Sequence, residues 1–236
     1  MEKTEYEIIT DEMMALRDDS QREVMQRFFK TGEGEYGCGD KFLGIKVPVT
    51  RGVVKSHKTA DVGTIKQLLQ SEWHEIRLCA LLIMVEKMKK ADDELQQELV
   101  NLYLSMTDRI NNWDLVDLSA PQIVGGYLLH RPRRLLYTLA ESSLLWDNRI
   151  AMVSTYAFIK NGDFDDAYAL ALRFIRHPHE LMHKAVGWML REAGKRDLPR
   201  LRAYVMSHYA EMPRTMLRYA IEKFPEDERR SILKLR

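Results

Sequence analysis

Apolar side chains recur at three- and four-residue spacings along most of the chain, which is the period of an amphipathic helix. Four stretches show this period most clearly: residues 73–87, 150–159, 201–209 and 216–224. The prolines fall mostly between such stretches, where they separate helices: Pro132, Pro178, Pro199, Pro213 and Pro225. Patterns typical of strands are few. The sequence therefore predicts an all-α chain.

A faint internal repeat accompanies the helical pattern. A basic residue followed by a small or apolar run occurs at Arg77, Arg149, Lys184 and Arg218, at intervals of 72, 35 and 34 residues. The interval of 72 residues is about twice the other two and leaves room for one further unit around residues 113–119. A period in the mid-thirties predicts a helical-hairpin repeat solenoid, whose inner helices would line a concave basic groove. Helix pairs in an ordinary bundle would recur at similar intervals, so that alternative stays open.

Length and composition narrow the possible classes of protein. The 236 residues, 45% of them hydrophobic, are enough for a folded domain, and we expect one domain over residues 1–236. The longest uninterrupted apolar run, residues 78–85, is too short to cross a bilayer, and the polar first residues are unlike a secretory signal. Two cysteines, Cys38 and Cys79, cannot form a disulfide framework. We therefore expect a cytoplasmic monomer with no membrane partner.

The net charge of +1 hides a segregation along the chain. Residues 1–118 carry 16 basic and 22 acidic side chains, a net of −6, whereas residues 119–236 carry 20 and 13, a net of +7. A basic half is typical of proteins that bind a polyanion such as nucleic acid. An uneven surface charge with no partner would give the same numbers.

Residues 32–37 match the G-x-G-x-x-G spacing of dinucleotide-binding loops. Such a loop follows a strand, whereas the residues before Gly32 are typical of a helix end, and Glu33 and Glu35 would repel phosphate. We expect a turn-forming loop within the main non-helical stretch, residues 30–50.

Residues 179–183 match the H-E-x-x-H pattern of zinc proteases. A third ligand is missing, because Glu192 follows His183 by only nine residues on the same predicted helix. Pro178 places His179 in the first helical turn, where a capping or surface role is usual. A zinc protease remains an alternative, but we expect no metal.

Three tryptophans each have a polar partner one helical turn away, which places both members of the pair on one helix face. The pairs are Trp113 with Asp117, Trp146 with Arg149, and Trp188 with Arg191. A tryptophan is more often a core residue than an exposed one. At equivalent places in successive hairpins, however, the pairs could bring tryptophan, aspartate and arginine together on one concave surface.

In this order and spacing, seven segments resemble the AlkD-type DNA alkylation repair glycosylases, a family built from HEAT-like helical repeats. The segments are FKTG (29–32), DKFLGI (40–45), SEWHEIR (71–77), NWDLVD (112–117), WDNRIA (146–151), HKAVGWMLRE (183–192) and MPRTMLRYA (212–220). The resemblance covers nearly the whole chain and implies an all-α, HEAT-like repeat fold.

The resemblance also implies roles for single residues. The catalytic positions of the family fall on Asp117, Trp113 and Trp188, and Asp117 would stabilise the charge that develops on the sugar. A helix-face aspartate paired with Arg149 is the alternative for Asp117. The two tryptophans would cradle the deoxyribose.

The DNA-binding positions fall on Arg149 and Arg191, which would contact phosphate, with Lys46 and Arg51 as weaker candidates. For the last two, ordinary solvated charge is the alternative. The sequence departs from the family at Asp147 and Asn148, where many members have a more basic pair.

The chemistry implied by the resemblance is release of cationic alkylated purines, such as N7-methylguanine and N3-methyladenine, from double-stranded DNA. The family does this without flipping the base and without a metal or an organic cofactor. Two further alternatives stay open: a non-catalytic repeat protein that binds damaged or branched DNA, and a helical scaffold that binds other proteins.

Overall fold

A computed structural model of the protein describes residues 2–235. Within that span the chain is helical, and its nearest approach to a strand is an isolated β-bridge between Lys41 and Trp73. The all-α class is therefore confirmed. The chain divides into two compact units, Met1–Ile123 and Val124–Arg236, called unit 1 and unit 2 below. One domain over 1–236 and a concave groove stay predictions.

Unit 1 is built around a buried central helix, α5. Its helices are α1 (Glu5–Ala15), α2 (Asp19–Phe28), α3 (Val47–His57), α4 (Val62–Leu69), α5 (His74–Met88), α6 (Asp93–Ser105) and α7 (Trp113–Asp117). Helices α3 and α4 pack on α5, as α1, α6 and α7 do over smaller areas. Aspartate side chains accept backbone N–H groups at the starts of α2, α4 and α6: Asp18, Asp61 and Asp92.

Unit 2 is a layered set of helices with α12 at its centre. A π-helical turn, Pro121–Gly125, spans the division of the chain and is followed by α8 (Gly126–Leu128), α9 (Arg134–Glu141), α10 (Leu145–Lys160), α11 (Asp165–Arg173), α12 (Glu180–Gly194), α13 (Leu198–His208), α14 (Arg214–Ala220) and α15 (Glu226–Lys234). Helices α10, α12 and α14 pack side by side, and α9, α11 and α13 lie against them.

The four helices predicted from periodicity are confirmed as α5, α10, α13 and α14, although α14 ends at Ala220, four residues early. The predicted non-helical stretch, residues 30–50, is wrong at its end because α3 begins at Val47. Pro48 lies in the first turn of α3, where a missing backbone N–H costs nothing.

The repeated basic residues do occupy matching places in four helices. Arg77, Arg149, Lys184 and Arg218 are each the fourth or fifth residue of α5, α10, α12 or α14. Their surroundings differ, however. Arg77 is only 1% exposed and Arg149 4%, whereas Arg218 is exposed. The expectation that all four charges collect on an open face is therefore wrong for Arg77 and Arg149.

The charge segregation coincides with the two units, because residues 119–123 carry no charged side chain. Unit 1 thus carries the net charge of −6 and unit 2 that of +7. Of the helices in residues 2–235, none is both long enough and apolar enough to span a bilayer.

Candidate functional site

Helix α7 presents Trp113 and Asp117 on its accessible side. These two residues are partly exposed, whereas the three between them, Asp114, Leu115 and Val116, are buried. The predicted common face is confirmed. The charge of Asp117 also reaches the neighbouring Tyr103: burial raises the pKa of that phenol, and Asp117 raises it further.

The start of α7 is held by a buried histidine. His74, the first residue of α5, is 1% exposed and lies between two carboxylates. Its Nδ1 is 2.9 Å from Oδ2 of Asp40, and its Nε2 is 2.8 Å from Oδ2 of Asp114, the second residue of α7. Burial alone would lower the pKa of His74, but Asp114 and Asp40 outweigh it and raise the pKa to about 9. At neutral pH the ring is therefore an imidazolium that donates to both carboxylates.

A second buried cation reinforces the same region. The guanidinium of Arg77 donates to Oδ1 of Asp40 at 2.7 Å and to Oδ1 of Asn111 at 2.9 Å. It also donates to the carbonyl oxygens of Ser71, Glu72 and Arg109. Burial would raise the pKa of Asp40, but His74 and Arg77 together lower it. The segment that leads into α7 is thus tied to α5 by charge-assisted hydrogen bonds.

Glu75, the residue after His74, fixes the loop of residues 43–45 that leads to α3. Its buried carboxylate accepts three backbone N–H groups, from Leu43 at 2.8 Å, Gly44 at 2.8 Å and Ile45 at 3.1 Å. Gly44 has a φ of +87°, and a Cβ there would lie 2.0 Å from the carbonyl oxygen of Asp18. This position therefore requires glycine.

A stack of rings connects the buried histidine to Trp113. The ring centroids of His74 and Phe42 are 4.3 Å apart, those of Phe42 and Phe29 5.0 Å, and those of Phe29 and Trp113 5.2 Å, each pair close to parallel. The rings of Phe28 and Trp113 meet edge to face, with centroids 5.8 Å apart, and Phe28 is 63% exposed, which is unusual for a large apolar side chain. Trp113 is thus supported from beneath and flanked by an exposed aromatic ring.

In unit 2, Trp188 pairs with an aromatic side chain of a neighbouring helix. Trp188 on α12 is partly exposed and lies 6.0 Å from the ring of Tyr156 on α10. Gly187 allows α14 to approach on the opposite side, because a Cβ at this position would lie 2.5 Å from Cβ of Tyr219. Trp188 thus has an aromatic neighbour on α10, and α14 packs closely against the residue that precedes it.

The two arginines predicted to contact phosphate are both engaged within unit 2. Nη1 of Arg149 donates to the carbonyl oxygen of Leu181 at 2.6 Å and so ties α10 to α12. Arg191 donates to Glu222 through Nη1 and lies 3.4 Å from Glu192 through Nε. Trp146, the helical neighbour of Arg149, is buried. A phosphate contact by either arginine stays a prediction, and it requires exchange of these partners.

The weaker candidates lie on the surface of unit 1. Lys46 precedes α3 and Arg51 lies on it, and both side chains are exposed. Lys46 is close enough to Asp18 to help lower the pKa of that carboxyl, after the larger effects of hydrogen bonds from Ser20 and Gln21. The structure is compatible with either a phosphate contact or solvated charge.

The H-E-x-x-H residues have ordinary structural partners. His179 caps α12, its Nδ1 accepting the backbone N–H of Leu181 at 3.1 Å, so the expected capping role is confirmed. Nε2 of His183 bonds to the carbonyl oxygen of His177. Over residues 2–235, no three His, Cys, Asp or Glu side chains are grouped so that they could hold a metal ion.

The G-x-G-x-x-G segment is a series of turns after the end of α2 at Phe28, as expected. The carboxylate of Glu35 accepts the backbone N–H of Gly32 at 2.9 Å. That amide is therefore already bonded within the loop.

Sequence reasoning missed the buried charges at the start of α5. A signal was available: residues 74, 75 and 77 are His, Glu and Arg at the head of a stretch that is otherwise apolar through Val85. Charged side chains beside a fully buried helix must be paired. Asp40, the partner of His74 and Arg77, is however 34 positions before His74 and has no pattern of its own.

Asn148, one of the two departures from the family pattern, is also structural. Its Nδ2 donates to the carbonyl oxygens of Leu139 at 3.0 Å and Ser142 at 2.9 Å, which joins α10 to the end of α9. The side chain is 5% exposed. In this structure it braces two helices, and it offers little surface to a ligand.

Comparison with known proteins agrees with this architecture. A sequence model described as DNA alkylation repair enzyme matches residues 9–224. The solved structure of a predicted DNA alkylation repair enzyme from Enterococcus faecalis is similar in fold, with a TM-score of 0.71 and 16% identity over 89% of this chain and 97% of that one. No curated protein matches in sequence. Since the family match spans most of both units, the chain belongs to the DNA alkylation repair enzyme family.

Proposed function

We propose that the protein is a DNA glycosylase that hydrolyses the N-glycosidic bond of cationic alkylated purines, such as N7-methylguanine and N3-methyladenine, in duplex DNA. The family match supports action on alkylated DNA. The observation that carries the finer proposal is the placement of Asp117, a partly exposed carboxylate one helical turn from Trp113 on a helix fixed by buried charges.

A cationic purine needs little help to leave. When the bond from the anomeric carbon to N9 breaks, its electron pair neutralises the positive charge of the ring. The base therefore departs as a neutral molecule and requires no general acid. The sugar that remains resembles an oxocarbenium ion, and stabilising this cation is the task left to the protein.

Asp117 is the proposed catalytic residue. Its carboxylate would stabilise the positive anomeric carbon and accept the proton of the water that adds there. The products are the free alkylated base and an abasic site. Trp113 would lie against the sugar and exclude bulk water, and its electron-rich face also favours a cation.

Unit 2 would contribute Trp188 as a second aromatic contact with the deoxyribose. Lys46 and Arg51 would contact the DNA backbone, and so would Arg191 after phosphate replaces Glu222. Arg149 would act mainly through the position of α12. Because these contacts are to backbone and sugar, the lesion could remain stacked, and selectivity would follow from the lability of the cationic base.

The test is a base-release assay on two matched duplexes, one with a single N7-methylguanine and one with a single hypoxanthine, which is a neutral base. Free base is measured by chromatography with mass detection, and abasic sites by alkaline cleavage. We expect release of N7-methylguanine well above the spontaneous rate and little release of hypoxanthine.

Equal release from both duplexes would contradict selectivity by leaving-group charge. No release above the spontaneous rate, with retained binding to the duplex, would instead favour a non-catalytic DNA-binding protein.

A further inference from the structure

A groove in unit 2 runs between α14 and α15, and none of the residues assigned above to catalysis lines it. It has a volume of about 360 Å³. Its lining is rich in arginine and contains one half-exposed aromatic ring: Arg218, Tyr219, Glu222, Arg229, Arg230 and Leu233. Arg218 begins one of the repeated basic segments of the sequence, yet it has no role in the packing of the helices or in the proposed reaction.

The carboxylates near this groove are already neutralised. Glu222 accepts from Arg191 and lies 3.0 Å from Nζ of Lys223. Glu226, at the start of α15, is bonded to Arg230. The acidic groups around the groove are thus paired with cations other than Arg218 and Arg229.

Arg218 and Arg229 keep their positive charge unpaired. In the described part of the chain, neither guanidinium has a hydrogen bond or an ion pair. Arg218 is exposed and Arg229 half-buried, so both are accessible from the groove. Two unpaired planar guanidinium groups in one concavity suit phosphate oxygens, which they can bind through paired hydrogen bonds.

We propose that the groove of Arg218, Tyr219 and Arg229 binds the phosphodiester backbone of the DNA duplex outside the segment that carries the lesion. The proposal rests on the proposed function for the identity of the polyanion. Two guanidinium groups beside an accessible aromatic ring in one open groove suit a phosphodiester strand, and Tyr219 packs against Gly187 on α12, the helix that also carries Trp188.

The test compares the salt dependence of binding to an undamaged, fluorescently labelled duplex. A plot of the logarithm of the association constant against the logarithm of the salt concentration has a negative slope. In the double variant Arg218→Gln/Arg229→Gln this slope should become shallower by about 2, since each phosphate contact contributes about 0.9. Arg218→Lys/Arg229→Lys, which keeps both charges, should restore most of the slope.

The matched control removes two exposed arginines from other helices of unit 2, Arg134 on α9 and Arg173 on α11. Arg134→Gln/Arg173→Gln should leave the slope unchanged. An unchanged slope in the groove variant, or equal losses in both double variants, would overturn the proposal. So would binding of inorganic phosphate by the native protein but not by the groove variant, together with an unchanged salt slope for DNA in that variant, which would indicate a small-anion site.

A base-release assay distinguishes failure of this proposal from failure of the proposed function. Because neither Arg218 nor Arg229 is assigned to the reacting centre, the single-turnover rate at saturating duplex should be the same in the groove variant and the native protein. If the native protein releases no base, the proposed function fails, whereas the salt slopes still decide the role of the groove.

Discussion

The two units hold their candidate tryptophans in contrasting ways. In unit 1, Trp113 begins a helix of five residues that is fixed by buried charged groups and a stack of rings. In unit 2, Trp188 lies in the middle of a helix of 15 residues, held by close packing against α10 and α14. A five-residue helix is unstable alone, so its orientation must come from its surroundings.

The two units also differ in where their charged side chains lie. Unit 1, with a net charge of −6, buries His74, Glu75 and Arg77 and uses them to fix loops. Unit 2, with a net charge of +7, buries Arg149 but leaves other cations, such as Arg218, exposed. Buried charges position backbone, whereas exposed cations are available to a polyanion.

The largest effect should come from removing the buried imidazolium. His74→Leu leaves Asp40 and Asp114 without their shared partner, which should lower the free energy of unfolding by about 3–5 kcal/mol. Urea denaturation of the full chain measures this, with His130→Leu, a substitution of an exposed histidine, as the matched control. Equal stability of the two variants would show that the network does not hold unit 1 together.

Stability should also depend on pH through the same residue. The pKa of His74 is raised from its usual value of 6.5 to about 9, so its stabilising contribution is complete below pH 6.5 and is lost as pH rises to 9. The expected loss is about 3 kcal/mol over this interval. Urea unfolding at pH 6.5 and pH 9 should show the loss in the native protein and a flatter dependence in His74→Gln. A parallel dependence in the two proteins would assign the loss to other groups.

Close packing in unit 2 predicts a smaller effect from Gly187→Ala. The added Cβ would meet the carbonyl oxygen of Met216 at 2.6 Å and Cβ of Tyr219 at 2.5 Å. Separating α12 and α14 should cost about 1–3 kcal/mol. Gly52→Ala on α3, where a Cβ meets nothing within 4 Å, should be neutral or stabilising by up to about 1 kcal/mol. Thermal unfolding measures both effects, and equal stability of Gly187→Ala and Gly52→Ala would contradict the prediction.

The smallest effect is expected for Arg191→Gln. Because Glu222 and Glu192 already engage this guanidinium, a phosphate contact replaces one ion pair by another. Stability should change by about 0.2–1 kcal/mol, and the salt slope of DNA binding should hardly change. A fall in slope of about 1 would show instead that Arg191 contacts phosphate as fully as a free arginine does.

The parts of this architecture that follow a helical period could be predicted from the sequence. Helices α5, α10 and α13 appear where apolar spacing places them, and Trp113 and Asp117 share a face as their spacing requires. Arg149 and Arg191 were predicted as phosphate contacts from the resemblance to a known family, which matches short segments of sequence. Their partners, Leu181 and Glu222, lie about 30 residues away, and local periodicity contains no information about them.

The central claim is that Asp117 stabilises the cationic sugar when the alkylated base leaves. The direct measurement is the single-turnover rate of N7-methylguanine release from a saturating duplex by the native protein, Asp117→Asn and Asp108→Asn, the last being an exposed aspartate of the same unit. We predict a loss of about 10²- to 10³-fold for Asp117→Asn and little change for Asp108→Asn. Release by Asp117→Asn at the native rate would contradict the claim.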